Sequence, residues 1–281
     1  MFSPKNKHYS INVKGRLMNF SEPLIMAIFN VTPDSFYAGS RSQDLKLILD
    51  RVEKCIHEGM DIIDIGGVST RPGADFVSED EELERVLPVI QAIVNTFPEI
   101  VISIDTFRSS VAQAAIENGA HLVNDVYGGR SDDSMFETVG KLKCPYILMH
   151  SRGDAQNMQA KVDYKNVTKD VVSELTPKIR ELRNHGVKDI ILDPGFGFAK
   201  TLEQNYELLK NMAFLHTLNL PILVGISRKS MIYKLLDTEP LNALNGTTVL
   251  HTYALLNGAN ILRVHDVKAA MEAKIIVKNL I

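Results

Sequence analysis

The chain has 281 residues, 45% of them hydrophobic, and balances 31 Lys and Arg against 34 Asp and Glu for a net charge of −3. Both signs are interspersed without a basic block, which argues against nucleic acid or an anionic membrane surface as the main partner. No run approaches the roughly 18 apolar residues of a membrane helix, and the first ten residues lack a signal peptide's apolar core. The expected location is the cytoplasm, with Cys55 and Cys144 as reduced, buried thiols.

Taken in order, residues 8–22 alternate around Lys14-Gly15, which predicts a small β-hairpin that plugs one end of the main fold. Leu24 to Phe29 is an apolar run short enough for a buried strand, and Leu45, Ile48, Leu49, Val52 and Ile56 then keep helical spacing. A second strand ends at Asp64-Ile-Gly-Gly67. Ser78-Glu-Asp-Glu81 is a capping-box pattern ahead of a helix through Val94, with the acidic run Glu79 to Glu84 expected as its solvated start. Further apolar runs close at Asp105, at Asn124-Asp125, at His150 and at Asp193, with helical patterns between them. Pro177 is a candidate kink in the helix after His150. Pro221 to Ile226 and Asn260 to Val264 complete eight strand-like runs.

Strands alternating with helices predict a parallel sheet. Eight such units in this length favour an α/β fold with one (β/α)8 TIM barrel spanning residues 1–281. In such barrels chemistry gathers at the carboxyl ends of the strands, where these runs end on polar groups.

Asp105, Asn124 and Asp193 end three strands and would project inward. Carboxylates and an amide suit the adjacent N–H donors of a 2-amino-4-oxo pyrimidine such as a pterin or guanine, although each could instead cap a neighbouring loop. Gly225-Ile-Ser-Arg-Lys229-Ser230 leads into a helix start with cations beside it, a weak anion signal. Ser69-Thr70-Arg71-Pro72-Gly73 and Arg263-Val264-His265 add cations at the same rim, suited to phosphate or pyrophosphate. Asn30 could offer its side-chain oxygen to Mg²⁺ or cap a backbone. No His-x-His follows the first strand and no His-Glu-x-x-His occurs, which argues against a zinc hydrolase. His57, His185, His216 and His251 fall in helical stretches as ordinary surface or packing residues. Met149 and Phe198 are packing residues or an apolar wall for a flat ring.

Asn30-Val-Thr-Pro-Asp-Ser-Phe36, Ser69-Thr-Arg-Pro-Gly73, Asn124-Asp-Val126, Asp193-Pro-Gly-Phe-Gly197, Ser227-Arg-Lys-Ser230 and Arg263-Val-His-Asp-Val267 together resemble the signature blocks of the dihydropteroate synthase family, in its order and across almost the whole chain. The resemblance implies a homodimeric (β/α)8 barrel that joins 4-aminobenzoate to (7,8-dihydropterin-6-yl)methyl diphosphate and releases pyrophosphate. By the same resemblance, Asp105, Asn124, Asp193 and Lys229 hold the pterin, with Met149 and Phe198 beside it. Thr70, Arg263, Val264 and His265 hold the diphosphate. Asn30 binds Mg²⁺, and Phe36, Arg71, Pro72 and Ser230 form the 4-aminobenzoate site, where sulfonamides compete. Lys229, Asp105, Arg263 and His265 are the expected catalytic group.

The chain departs from that pattern at Ala38, where many members carry an acidic residue in the first loop; Asp34 is the nearest substitute. It also has Val68 where a Glu often precedes Ser-Thr-Arg-Pro, a change expected to be structural only. The alternatives are a pterin-dependent methyltransferase, disfavoured by the retained Ser-Thr-Arg-Pro and Ser-Arg-Lys-Ser blocks, and a non-catalytic pterin-binding module.

Overall fold

The computed structural model describes residues 9–31, 41–69, 76–154 and 156–280. A hairpin of β1 (Ser10–Val13) and β2 (Arg16–Asn19) precedes eight parallel strands. These are β3 (Leu24–Asn30), β4 (Ile62–Gly66), β5 (Val101–Asp105), β6 (Leu122–Asp125), β7 (Tyr146–Met149), β8 (Ile190–Asp193), β9 (Leu223–Val224) and β10 (Ile261–Val264). They run in the order β8-β7-β6-β5-β4-β3-β10-β9. The parallel bridge Leu192–Ile222 joins the two ends and closes the barrel.

Around it lie α1 (Arg41–His57), α2 (Glu79–Thr96), α3 (Ser109–Glu117), α4 (Met135–Leu142), α5 (Val167–Asn184), α6 (Leu202–Lys210), α7 (Ser230–Tyr233), α8 (Leu244–Leu256) and α9 (Val267–Lys278). The expected α/β barrel is therefore present. β9 is shorter than its apolar run: Pro221 has no N–H for the ladder and contributes only its carbonyl, which accepts from Leu192 N at 2.9 Å.

Two cores follow from the period of two along each strand. Outward side chains pack with the helices in one large cluster. Inward side chains at the amino ends, among them Met26, Ile62, Val101, Leu122, Ile147 and Ile261, form a second cluster with Ile11, Val13 and Phe20 of the hairpin segment. The hairpin is thus the barrel's floor, as its alternation predicts. Burying side chains of this size stabilises by roughly 1.5–3 kcal/mol each.

Three local expectations come out differently. Ser78 Oγ does accept from Glu81 N at 3.2 Å, but the Glu81 carboxylate pairs with Arg85 at 2.5 Å, one helical turn on. The full capping box is instead Thr201–Gln204 at the start of α6. The acidic start of α2 is not wholly solvated either: Glu82 is fully buried and paired with Arg108, which also donates to Val77 O at 2.6 Å. Its fourth position in the helix turns it inward, where the guanidinium replaces water. α5 runs unbroken through Pro177, and the preceding Thr176 hydroxyl donates to Val172 O at 2.7 Å. Cys55 and Cys144 are free and buried, and no described helix is long and apolar enough to cross a membrane.

Candidate active site

Two residues beyond the inward apolar layer, the same alternation presents Asp64, Ser103, Asn124, Asp193 and Arg263 to the barrel axis. Two further on come Asn30, Asp105, Ser227 and His265. The register makes Asp105 the partner of both Gly66 and Asn124. Gly66 is close to it: a Cβ there would lie in ordinary contact with Asp105 Cβ, at 3.4 Å.

Arg263 is the centre of the layer. Its Nε donates to Asp64 Oδ2 at 2.6 Å and its Nη2 to Asp105 Oδ2 at 2.5 Å. Asn124 Nδ2 donates to the same Asp64 oxygen at 3.0 Å. Burial pushes Asp105 up to about 7; Arg263 pulls it down, while Asp64, Glu82 and Asp125 add to the rise. Burial works against the Arg263 cation too, but Asp64 and Asp105 outweigh it and hold the guanidinium firmly protonated. The sequence points Arg263 at an anion; in the fold two carboxylates already neutralise it.

Asp193 and Lys229 form the other side. Asp193 Oδ1 accepts from Gly195 N at 2.7 Å. Gly225 has no side chain, and from the point its Cβ would occupy, Asp193 Oδ2 is 3.7 Å and Lys229 Nζ 3.8 Å away. The two groups therefore share one corner. Burial raises the Asp193 pKa against the pull of Lys229. Burial lowers Lys229 to about 8, and Asp193 limits the fall. Lys229 also donates to Phe196 O at 2.5 Å and lies 4.5 Å from the Phe198 ring centroid, a cation–π placement.

Backbone conformation aims these groups. Arg228 adopts φ +54°, which turns its side chain away to a two-pronged pair with Asp266, 2.8 Å at each prong, and leaves Lys229 pointing back into the barrel. Gly195 at φ +71° passes so close to β7 that a Cβ would sit 1.8 Å from His150 O. Behind that loop, Lys200 donates to Gly195 O at 2.9 Å and Phe198 O at 3.0 Å, and faces His150 Nδ1 at 3.2 Å. Burial lowers Lys200 to about 7.

Met149 and Phe198 pack with Phe107, Val126 and Tyr127 as an apolar wall at the mouth. His265 reaches Ser227 Oγ through its backbone N–H at 3.2 Å and Nδ1 at 3.0 Å. Val264 turns outward into the helical layer, because the alternation that brings Arg263 and His265 inward must send it out. Only its backbone faces the rim. Ser230 opens α7 beside Lys229. Asn30 ends β3, exposed at the mouth. Phe36, Thr70, Arg71 and Pro72, with Asp34 and Ala38, lie outside the described residues.

Sequence reasoning did not assign Asp64, Ser227 or Lys200 to the site. Asp64 had a usable signal, since it follows the inward Ile62 by two. Lys200 had none, because its fold-back depends on the turn at Gly195 and Gly197.

The sequence matches the family model for pterin-binding enzymes over residues 26–265. It is 41% identical to the dihydropteroate synthase of Escherichia coli (strain K12) over 267 residues, 94% of each chain. Among solved structures, it superposes on the Yersinia pestis dihydropteroate synthase, determined with a sulfonamide drug, with a TM-score of 0.90 and 39% identity over 97% of this chain and 99% of that one. The Xanthomonas albilineans dihydropteroate synthase with 4-aminobenzoic acid gives 0.89 and 35%, covering 98% of both. With eight parallel strands bringing this set of polar side chains to one mouth, and relatives of this similarity along nearly its full length, the chain belongs to the pterin-binding enzyme family as one of its dihydropteroate synthases.

Proposed function

We propose that this transferase of folate synthesis joins 4-aminobenzoate to (7,8-dihydropterin-6-yl)methyl diphosphate at the barrel mouth, yielding 7,8-dihydropteroate and pyrophosphate. The observation that carries the assignment to this mouth is that Asp64 and Arg263 link Asn124 and Asp105 by hydrogen bonds, while Asp193 Oδ2, Lys229 Nζ and Arg263 Cβ all lie within 4 Å of the Cβ position that Gly225 leaves empty. Asp105, Asn124 and Asp193 accept from the N–H groups of the ring's 2-amino-4-oxo edge, protonated Lys229 donates to a ring acceptor, and Met149 and Phe198 cover a face. Thr70, Arg263, His265 and the Val264 backbone receive the diphosphate. Phe36, Arg71, Pro72 and Ser230 receive 4-aminobenzoate, in line with the 4-aminobenzoic acid and sulfonamide bound to the relatives.

In the step itself, the C–O bond to diphosphate breaks with its electron pair leaving on oxygen. The buried carboxylates steady the methylene cation that remains. The arylamine lone pair then closes the C–N bond and its proton passes to solvent. No nucleophilic side chain is required.

Asn30 fits a role in holding Mg²⁺. Among the described residues no three His, Cys, Asp or Glu are grouped to bind a metal, and Mg²⁺ commonly takes one or two protein oxygens and completes its shell with water and substrate phosphates. Bound there, the ion would supply charge neutralisation to the departing diphosphate.

The remaining proposals concern the whole molecule. It acts in the cytoplasm as one barrel domain, residues 1–281, with residues 8–22 as its floor. It pairs as a homodimer across the α7–α8 side, where Leu235, Leu236, Leu241, Val249, Tyr253 and Leu256 are exposed.

The test is pyrophosphate release with Mg²⁺, the dihydropterin diphosphate and 4-aminobenzoate, omitting each in turn. Release that needs all of them, with dihydropteroate formed, is expected. Tight pterin binding without release would favour a non-catalytic pterin-binding module, and Ala38 is the feature that keeps that second reading in view.

A further inference from the structure

Asp64 is fully buried within the barrel, and no step above uses it. Its place two residues beyond Ile62 would serve folding as well with an apolar side chain, because a buried charge costs several kcal/mol, roughly, that its partners must offset. Yet its Oδ2 accepts from Arg263 Nε at 2.6 Å and from Asn124 Nδ2 at 3.0 Å.

Each bond fixes something a ligand would meet. Arg263 is held at Nε by Asp64 and at Nη2 by Asp105, so the plane of its guanidinium has one orientation. Asn124 facing a carboxylate must present its NH₂ group to it. Its Oδ1 therefore points the other way, as an acceptor. We infer that Asp64 is the positioning residue of this site: without touching substrate, it sets the plane of Arg263 and the acceptor polarity of Asn124.

The inference rests on the assignment of Asn124 and Asp105 to the pterin and of Arg263 to its diphosphate. It has an electrostatic corollary. The groups facing Asp105 are Arg263 from β10, Asp64 from β4, Glu82 from α2 and Asp125 from β6, with Lys229 before α7 as a second cation. Of the carboxylates among them, Asp64 contributes the most to keeping Asp105 protonated toward neutral pH. Neutralising Asp64 therefore moves the ionisation of Asp105 to lower pH, which loss of packing alone would not do.

The experiment is equilibrium binding of the dihydropterin diphosphate to full-length wild type, Asp64→Asn and Arg263→Lys across the neutral pH range. Asp64→Asn is expected to bind about tenfold or more weakly at the optimum, with the acid limb displaced to lower pH. Unchanged affinity and an unmoved limb in a folded Asp64→Asn, with Arg263→Lys impaired, would overturn the inference alone. Normal binding by Arg263→Lys would overturn the site assignment and this inference with it. A second measurement needs no Asp64 variant: the Arg263 Nε–H in ¹⁵N spectra of wild type, assigned by its loss in Arg263→Lys, is expected to exchange slowly with and without the pterin. Fast exchange in both states would overturn the proposal.

Discussion

Asp193→Asn isolates charge from shape at the pterin corner. The substitution keeps the side chain's size and its acceptor toward Gly195 N, now 2.7 Å away. It removes the anion beside Lys229 Nζ, since both groups lie within 4 Å of the empty Cβ position of Gly225. Two effects follow. A ring N–H loses an ionised acceptor, and hydrogen bonds to charged groups are worth roughly 1.5–3 kcal/mol, which is about a 10- to 150-fold rise in Kd. Lys229 also loses the neighbour that supports its charge. Its pKa of about 8 must therefore fall. Lys229 is charged only below its pKa, so the basic limb of kcat/KM moves to lower pH. Calorimetric titration of the dihydropterin diphosphate gives the first quantity, and pyrophosphate release against pH gives the second. An Asp193→Asn enzyme that unfolds like wild type but shows unchanged Kd and an unmoved basic limb would refute the placement of both residues.

Other parts of the structure make separate predictions. Gly195→Ala forces a Cβ to within 1.8 Å of His150 O at φ +71°; a loss of at least about 2 kcal/mol, or about 4–8 °C in Tm, is expected, and calorimetry showing no loss would contradict that geometry. Phe20→Ala removes an aromatic from the barrel floor, 5% exposed, and should cost about 3 kcal/mol in urea unfolding; an unchanged midpoint would mean the hairpin does not seal the barrel. Glu82→Ala strands the Arg108 guanidinium, itself only 15% exposed, for a loss near the lower end of about 3–5 kcal/mol, and wild-type thermal stability would show that the pair is not needed. Sulfonamides should raise the apparent KM for 4-aminobenzoate without lowering kcat, and activity untouched at high drug would contradict the proposed subsite.

Much of this molecule could be read from the chain because its signals are local. Apolar runs ended by Asp64, Asp105, Asn124 and Asp193 specify strands with polar tips, and the alternation around Lys14-Gly15 specifies a hairpin. A parallel sheet then has to bring those tips to one face. Other features depended on partners distant in sequence. Glu82 reads as one more exposed acid in a helix start until Arg108, 26 residues away, takes it into the interior. Arg228 and Lys229 are adjacent cations in the sequence, and only the left-handed turn at Arg228 sends one to Asp266 and the other to the pterin corner. Arg263 resembles a free anion ligand until the closed barrel sets it between Asp64, 199 residues before it, and Asp105, 158 before it. Hydrophobic pattern fixes which residues are buried, because burial follows from local periodicity. Which buried charges meet is fixed only when closure of the barrel sets the register between strands, and that geometry decides the electrostatics of the site.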